Sequence, residues 1–417
     1  MIRFKALDSW RGICACLVVL FHFQVNSRVF TLPLVRNSYL FVDFFFVLSG
    51  FVITWTYARN LTSWLSIRDF LVLRLGRLYP LHLFVLLCLV ALELLHLLFG
   101  HADPTVYRAF SSEQHSVQAI VTNLLLIQSL DTHRDLTWNE PSWSISTECW
   151  AYVAFALVTF KFGQQRLRVA ATVALAVIAA PQAIHLLSSH AMNTTFDYGL
   201  IRCLYGFALG CACCHLYRYL LGQGWHRLVD PLAMSVLEAG AVLMALIFVS
   251  LADESWASIL APYVFALMVV IFAFEGGAIS RALKSPVPQW LGERSYSIYM
   301  NHWLVWVAAS VTLSFAQNTL LHIKLWGLLN SATGHAVNVI GRNPVEGNVA
   351  ELVLVALTLT LSAFTYEWIE RPGRVWSRRW IARHTTPALP TTPADLPGPN
   401  QAAADGSAIG LQSFRHR

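Results

Sequence analysis

Apolar windows close to the length of a membrane span recur from one end of this chain to the other, and no water-soluble core could absorb so many. About 20 predominantly apolar residues in a helix cross the hydrocarbon core of a bilayer. Ten windows qualify, near 12–29, 38–57, 79–99, 148–163, 168–187, 199–219, 232–251, 257–275, 297–316 and 350–369, the fourth being short and read with its flanks. Only 12% of the 417 residues are charged and the mean hydropathy is +0.54, whereas a soluble domain carries about twice that charge fraction. The pattern predicts an all-α polytopic membrane protein with about ten transmembrane helices. A further stretch, Val117 to Leu130, is too short to span and carries Gln118, Asn123 and Gln128, so it reads as a re-entrant or surface helix.

Charge sets the orientation. With ten spans and a cytoplasmic N-terminus, the inner segments hold Arg3, Lys5, Arg11, Arg59, Arg68, Arg74 and Arg77. They also hold Lys161, Arg166, Arg168, Arg218, Arg227, Arg281, Lys284 and Arg294, and the C-terminal flank adds Arg371, Arg374, Arg378, Arg379 and Arg383. The outer side keeps Arg28, Arg36, Arg108, Arg134, Arg202, Lys324 and Arg342. This is the asymmetry of the positive-inside rule, and it predicts both termini in the cytoplasm. The net charge of +6 is then topology, and no basic stripe interleaved with aromatics marks a nucleic-acid partner. The first apolar run is too long for a cleavable signal peptide and no small-residue cleavage site follows it. Residues 1–384 read as one membrane domain, and 385–417, rich in Pro, Ala and Thr, as a disordered cytoplasmic tail.

Ionisable residues inside spans are costly and are functional candidates by default. Arg11 and His22 are eleven residues apart, and eleven steps of about 100° return to within about 20° of the start. Both therefore share a helix face, about 16 Å apart along the axis, with a permanent cation at the entrance and a titratable base deep in the run. Asp43 lies in the second span and Glu148 opens the fourth; on this topology both belong to the outer half. Each acid alone reads as paired with a polar neighbour, but His22, Asp43 and Glu148 together read as lining a polar cavity. Arg74 and Arg77, at i and i+3, share a face and with Arg11 form a cationic patch suited to phosphate. Ser49 is a nucleophile only if a base lies beside it, while Ser49-Gly50 and the Gly206/Gly210 pair read as close helix approaches. The eight cysteines, among them Cys211, Cys213 and Cys214, read as small packing residues, with no metal site.

The residues Arg11 and His22, Phe44-Phe45-Phe46-Val47-Leu48-Ser49-Gly50-Phe51 and Arg74-Leu75-Gly76-Arg77-Leu78-Tyr79-Pro80 resemble the membrane-bound acyltransferase-3 family. The resemblance continues through Pro141-Ser142-Trp143-Ser144-Ile145-Ser146-Thr147-Glu148, the stretch from Gly292 to His302, and Glu370-Arg371-Pro372. Six such motifs in order cover nearly all of the membrane domain. In one departure, Cys149 stands where the family often has a second acid. In another, a short tail stands where some members carry an esterase-like domain, so no hydrolase role is expected.

The resemblance implies a multi-pass O-acyltransferase of the bacterial inner membrane, with acyl-CoA, most commonly acetyl-CoA, as donor and no metal. It implies a surface glycan as acceptor, such as a polysaccharide, a lipopolysaccharide or a lipid-linked saccharide. His22 would be the general base, with Glu148 and Asp43 on the acceptor path. Arg11, Arg74, Arg77 and His302 would hold the donor, and Trp143 and Ser144 the acceptor. Two other readings stay open: acylation of a small molecule such as a macrolide, and a membrane transporter.

Overall fold

The computed structural model describes residues 3–99, 109–163, 165–317, 324–330 and 336–384. The first half holds α1 (Lys5–His22), α2 (Pro33–Arg36), α3 (Phe41–Tyr57), α4 (Trp64–Phe99), α5 (Val117–Leu124), α6 (Trp143–Phe162) and α7 (Arg166–Leu187). The second holds α8 (Gly199–Gly222), α9 (Trp225–Leu228), α10 (Pro231–Ala252), α11 (Ala261–Ala273), α12 (Ala278–Leu283), α13 (Pro286–Phe315), α14 (Pro344–Thr365) and α15 (Arg371–His384). Among the described residues one antiparallel strand pair forms, β1 (Trp326–Asn330) with β2 (Ala336–Ile340), and it sets Trp326 opposite Ile340. The stretch 385–417, expected to be a disordered tail, lies outside the described residues.

Seven described helical segments are long and apolar enough to cross a membrane: Ser38–Tyr57, Trp64–Leu98, Leu167–Leu187, Gly199–Gly222, Pro231–Ala252, Trp256–Ala273 and Pro344–His384. The protein is therefore a helical, multi-pass membrane protein. The other three of the ten expected spans fall on α1, α6 and α13, which have 18, 20 and 30 residues. These helices carry His22, Glu148 and His302, so the polar groups that make them functional candidates also dilute their apolarity.

Boundaries differ where apolarity and helix part company. The first helix covers Lys5–His22 instead of the expected 12–29. Beyond it the chain leaves the helix, Val25 bridges Ile340, and Phe23 and Val25 are buried against β2 and α14. The apolar run after His22 is thus apolar because it packs, not because it spans. The stretch read from Val117 to Leu130 forms only the eight-residue α5, started by Ser116, whose hydroxyl accepts from the Ala119 amide. The loop that follows folds back over the bundle. Its Leu126 carbonyl accepts from Ser146 (2.8 Å) and Trp150 (3.0 Å), which anchors the first turns of α6.

Two helix contacts place the site. On α3 and α8, a Cβ added at Gly50 would lie 2.0 Å from the Phe207 carbonyl oxygen, and one at Gly210 would lie 2.0 Å from that of Val47. The backbones touch there, as the small residues predict. On α1 and α13, a Cβ at Gly12 would lie 2.5 Å from the Gly292 nitrogen. Those two helices therefore cross backbone against backbone, with the Leu291 Cβ beside the contact.

Candidate active site

The crossing of α1 and α13 fixes Arg11. Its Nε donates to Ser295 Oγ at 2.7 Å and its Nη2 to the Gly292 carbonyl at 2.9 Å. Arg74 donates to the Tyr57 hydroxyl at 2.8 Å with its guanidinium over that ring. Arg374 on α15 pairs with Glu370, a fully buried acid that also accepts from Ser297 Oγ at 2.6 Å. Glu370 closes a π-helical segment, Tyr366–Glu370, a wide turn often found at functional sites. Arg3, Arg11, Arg74, Arg77 and Arg374 all line one cavity of about 290 Å³, where Asp8 and Glu293 pair with Arg3. The Nε atoms of Arg74, Arg77 and Arg374 are buried without a hydrogen-bond partner. Since a buried donor left unmatched costs free energy, such a cavity favours anions that can accept from several forks at once.

Ser49 and Tyr152 line the same cavity. Ser49 Oγ donates to Glu148 Oε1 at 2.6 Å, the Tyr152 hydroxyl donates to the same oxygen at 2.5 Å, and the two hydroxyl oxygens are 3.1 Å apart. Glu148 and Tyr152 are i and i+4 on α6, so one helix face presents both to α3. Glu148 was placed by sequence in the outer half with Asp43; it sits instead against the arginine cavity, near enough to Arg77 for the two charges to interact.

His22 and His302 meet elsewhere, with ring centroids 4.8 Å apart, and Trp303 stands 5.8 Å from His22. Neither imidazole lines the arginine cavity. His22 is the last residue of α1, and its Nδ1 lies 2.9 Å from the Val18 carbonyl oxygen. A carbonyl only accepts, so Nδ1 carries the hydrogen and Nε2 keeps a free lone pair. His22 is half-buried, while His302 is wholly buried with neither ring nitrogen hydrogen-bonded. Arg11 and His22 both face α13, as their spacing predicts. His302, grouped by sequence with the donor-binding arginines, stands beside the candidate base.

Asp43 has a different neighbour. Arg202 on α8 grips it with Nε to Oδ1 at 3.0 Å and Nη2 to Oδ2 at 2.8 Å, and both side chains are essentially inaccessible. The same guanidinium donates to the Thr194 and Tyr39 carbonyls and lies over the Trp143 ring at 5.2 Å. Trp143 therefore belongs to this pair. Ser144 instead bonds the Tyr299 hydroxyl at 2.9 Å, and Tyr299 packs 5.9 Å from His302.

Sequence reasoning missed Arg374, Glu370, Arg202 and Tyr152 as site residues. Two of them left a signal: Arg374 is four residues beyond Glu370, an i, i+4 pair on one face, and Tyr152 is four beyond Glu148. Arg202 left none, because its partner is 159 residues away.

Comparison with known proteins identifies the class. The acyltransferase domain model of the acyltransferase-3 family matches residues 4–368. The chain belongs to that family. Acyltransferase MdmB of Streptomyces mycarofaciens is 30% identical over 194 residues, 43% of this chain and 46% of MdmB. YrhL of Bacillus subtilis, named as a candidate peptidoglycan O-acetyltransferase, is 25% identical over 409 residues, 90% of this chain and 56% of YrhL. Protein 2 in the picA locus of Rhizobium radiobacter is 32% identical over 152 residues, 35% of this chain and 77% of that protein. The chain spans about half the length of the two relatives named for an activity. No solved structure matches it.

Proposed function

We propose that this chain transfers an acyl group, acetyl by preference, from cytoplasmic acyl-CoA to a hydroxyl of an extracytoplasmic or lipid-linked glycan, with His22 as general base. The observation that carries the reading is the division of one helix pair. Five arginines line a cavity at one end of α1 and α13, and an imidazole with a free Nε2 stands about 16 Å along α1. Coenzyme A is a polyanion, and bidentate guanidiniums with unmatched Nε donors suit its phosphates.

The positive-inside asymmetry puts the arginine cavity at the cytoplasmic face, with ten crossings in a bacterial inner membrane and both ends inside. The acceptor would then enter past the 125–142 loop, toward Ser144, Tyr299 and His302. A glycan acceptor draws support from the name of YrhL. In this scheme His22 Nε2 takes the acceptor's hydroxyl proton as the oxygen attacks the acyl carbonyl. Such catalysis contributes about 10²–10⁴-fold. Asp43, with both oxygens held by Arg202, serves the fold in this scheme and not the chemistry.

The test is mass spectrometry of surface glycans from a deletion strain restored with wild type or with His22→Ala. An acetyl-sized shift that wild type restores and His22→Ala does not is the expected result. Full acylation by a normally inserted His22→Ala protein would overturn the base assignment. No difference between deletion and wild type would overturn the glycan acceptor.

A further inference from the structure

We infer that Ser49 is a covalent way-station for the acyl group: Glu148 activates its hydroxyl to take the acyl group from the donor before His22 delivers it to the acceptor. The inference rests on the acyl-CoA reading above and adds a step to it.

The cavity that would hold the donor reaches Ser49 and stops short of the imidazoles. Phe45 lines the cavity, its ring packs 5.7 Å from that of Tyr299, and Tyr299 in turn packs against His302. Two aromatic rings thus separate the arginine compartment from the histidine pair, and a thioester entering among the arginines meets Ser49 first. Ser49 also has what a serine nucleophile needs, a base within reach of its proton. The Glu148 carboxylate accepts from it at 2.6 Å, and the Tyr152 hydroxyl holds that oxygen in place. Gly50 presses α3 onto the backbone of α8, so the next residue back cannot swing away from α6. Phe45 is four residues before Ser49, on the same face of α3, so an ester on Ser49 projects toward the ring that borders the second compartment.

The chemistry balances. Ser49 Oγ attacks the thioester carbonyl carbon while Glu148 takes its proton. The carbon–sulfur bond breaks, the thiolate takes that proton from Glu148, and the free thiol leaves. In the second half the Phe45 ring turns aside to join the two compartments, His22 Nε2 removes the acceptor's hydroxyl proton and the oxygen attacks the Ser49 ester. Ser49 Oγ departs and recovers a proton from the His22 imidazolium. Thioester and alcohol have become ester and thiol, with no net proton change.

The experiment uses the purified full chain in nanodiscs with radiolabelled acetyl-CoA and no acceptor. Wild type should release a stoichiometric burst of thiol and retain label after denaturation, on the peptide that contains Ser49. Ser49→Ala should lose both burst and label, and Glu148→Gln should slow the burst by about 10²-fold or more. His22→Ala should accumulate the label and fail to pass it to added source membranes. Ser49→Cys covers the case of a misfolded alanine variant: its label should become a thioester that neutral hydroxylamine cleaves. Label on Tyr152 or His22, or thiol release only when acceptor membranes are present, would overturn the serine step and leave the donor reading standing. No thiol release under either condition would overturn the donor reading, and the serine step with it.

Discussion

Two acids on opposite sides of α3 read alike in sequence and live in opposite surroundings. Asp43 faces α8, where a single arginine occupies both of its oxygens and neither group is accessible. Glu148 reaches α3 from α6, takes two hydroxyls on one oxygen and borders a cavity. An ion pair closed on itself has no capacity left for a substrate. Its removal by halves is costly because a buried charge is stranded. An acid held by hydroxyls is not locked in an ion pair and stays open to the cavity. A buried carboxylate is therefore no evidence for catalysis until its partner is known.

The largest expected effect is on the open side of this comparison. Glu148→Gln keeps an oxygen for both hydroxyls but loses the base, so acyl transfer should fall about 10²–10⁴-fold with the melting temperature unchanged. Parallel measurement of turnover and thermal unfolding reads both, and a parallel loss of stability would make Glu148 a structural residue like Asp43. On the closed side, Asp43→Ala should cost about 3–5 kcal/mol of stability, and Asp43→Ala with Arg202→Met should recover most of it. Should the single variant melt like wild type but lose activity, Asp43 would return to the chemistry.

A third acid sharpens the contrast most gently. Glu140 sits on the loop before α6, where burial first and Asp135 second push it up to about 7 from 4.5. The folded loop then keeps a proton that the unfolded chain gives up, so its stability declines as pH rises from about 4.5 to about 7. Glu140→Gln should remove that slope. Protease sensitivity of the loop, taken as the ratio of wild type to variant at each pH, measures it, and a ratio that stays flat would refute it.

What was legible in the sequence follows from the range of the interactions. Helix periodicity put Arg11 and His22 on one face, because that relation is internal to one element. Small residues marked the α3–α8 contact because only their lack of a side chain permits it. Long-range pairing left no trace: nothing near Asp43 announces Arg202, and nothing near His22 announces His302. Arg374 was hidden in plain view, since a cation after a span satisfies the positive-inside rule whether or not it also lines a cavity. The first helix was misplaced because apolar residues that pack beside β2 resemble apolar residues that span.

The bare contact between Gly12 and Gly292 has a consequence for the donor. With backbone against backbone at the crossing, α1 and α13 hold a fixed phase, and an α-helix hardly changes its rise of about 1.5 Å per residue. The interval from the Arg11 guanidinium to the His22 imidazole is thus a gauge cut into the backbone. A donor anchored at one end is thereby held at a set offset from the base that serves the acceptor at the other.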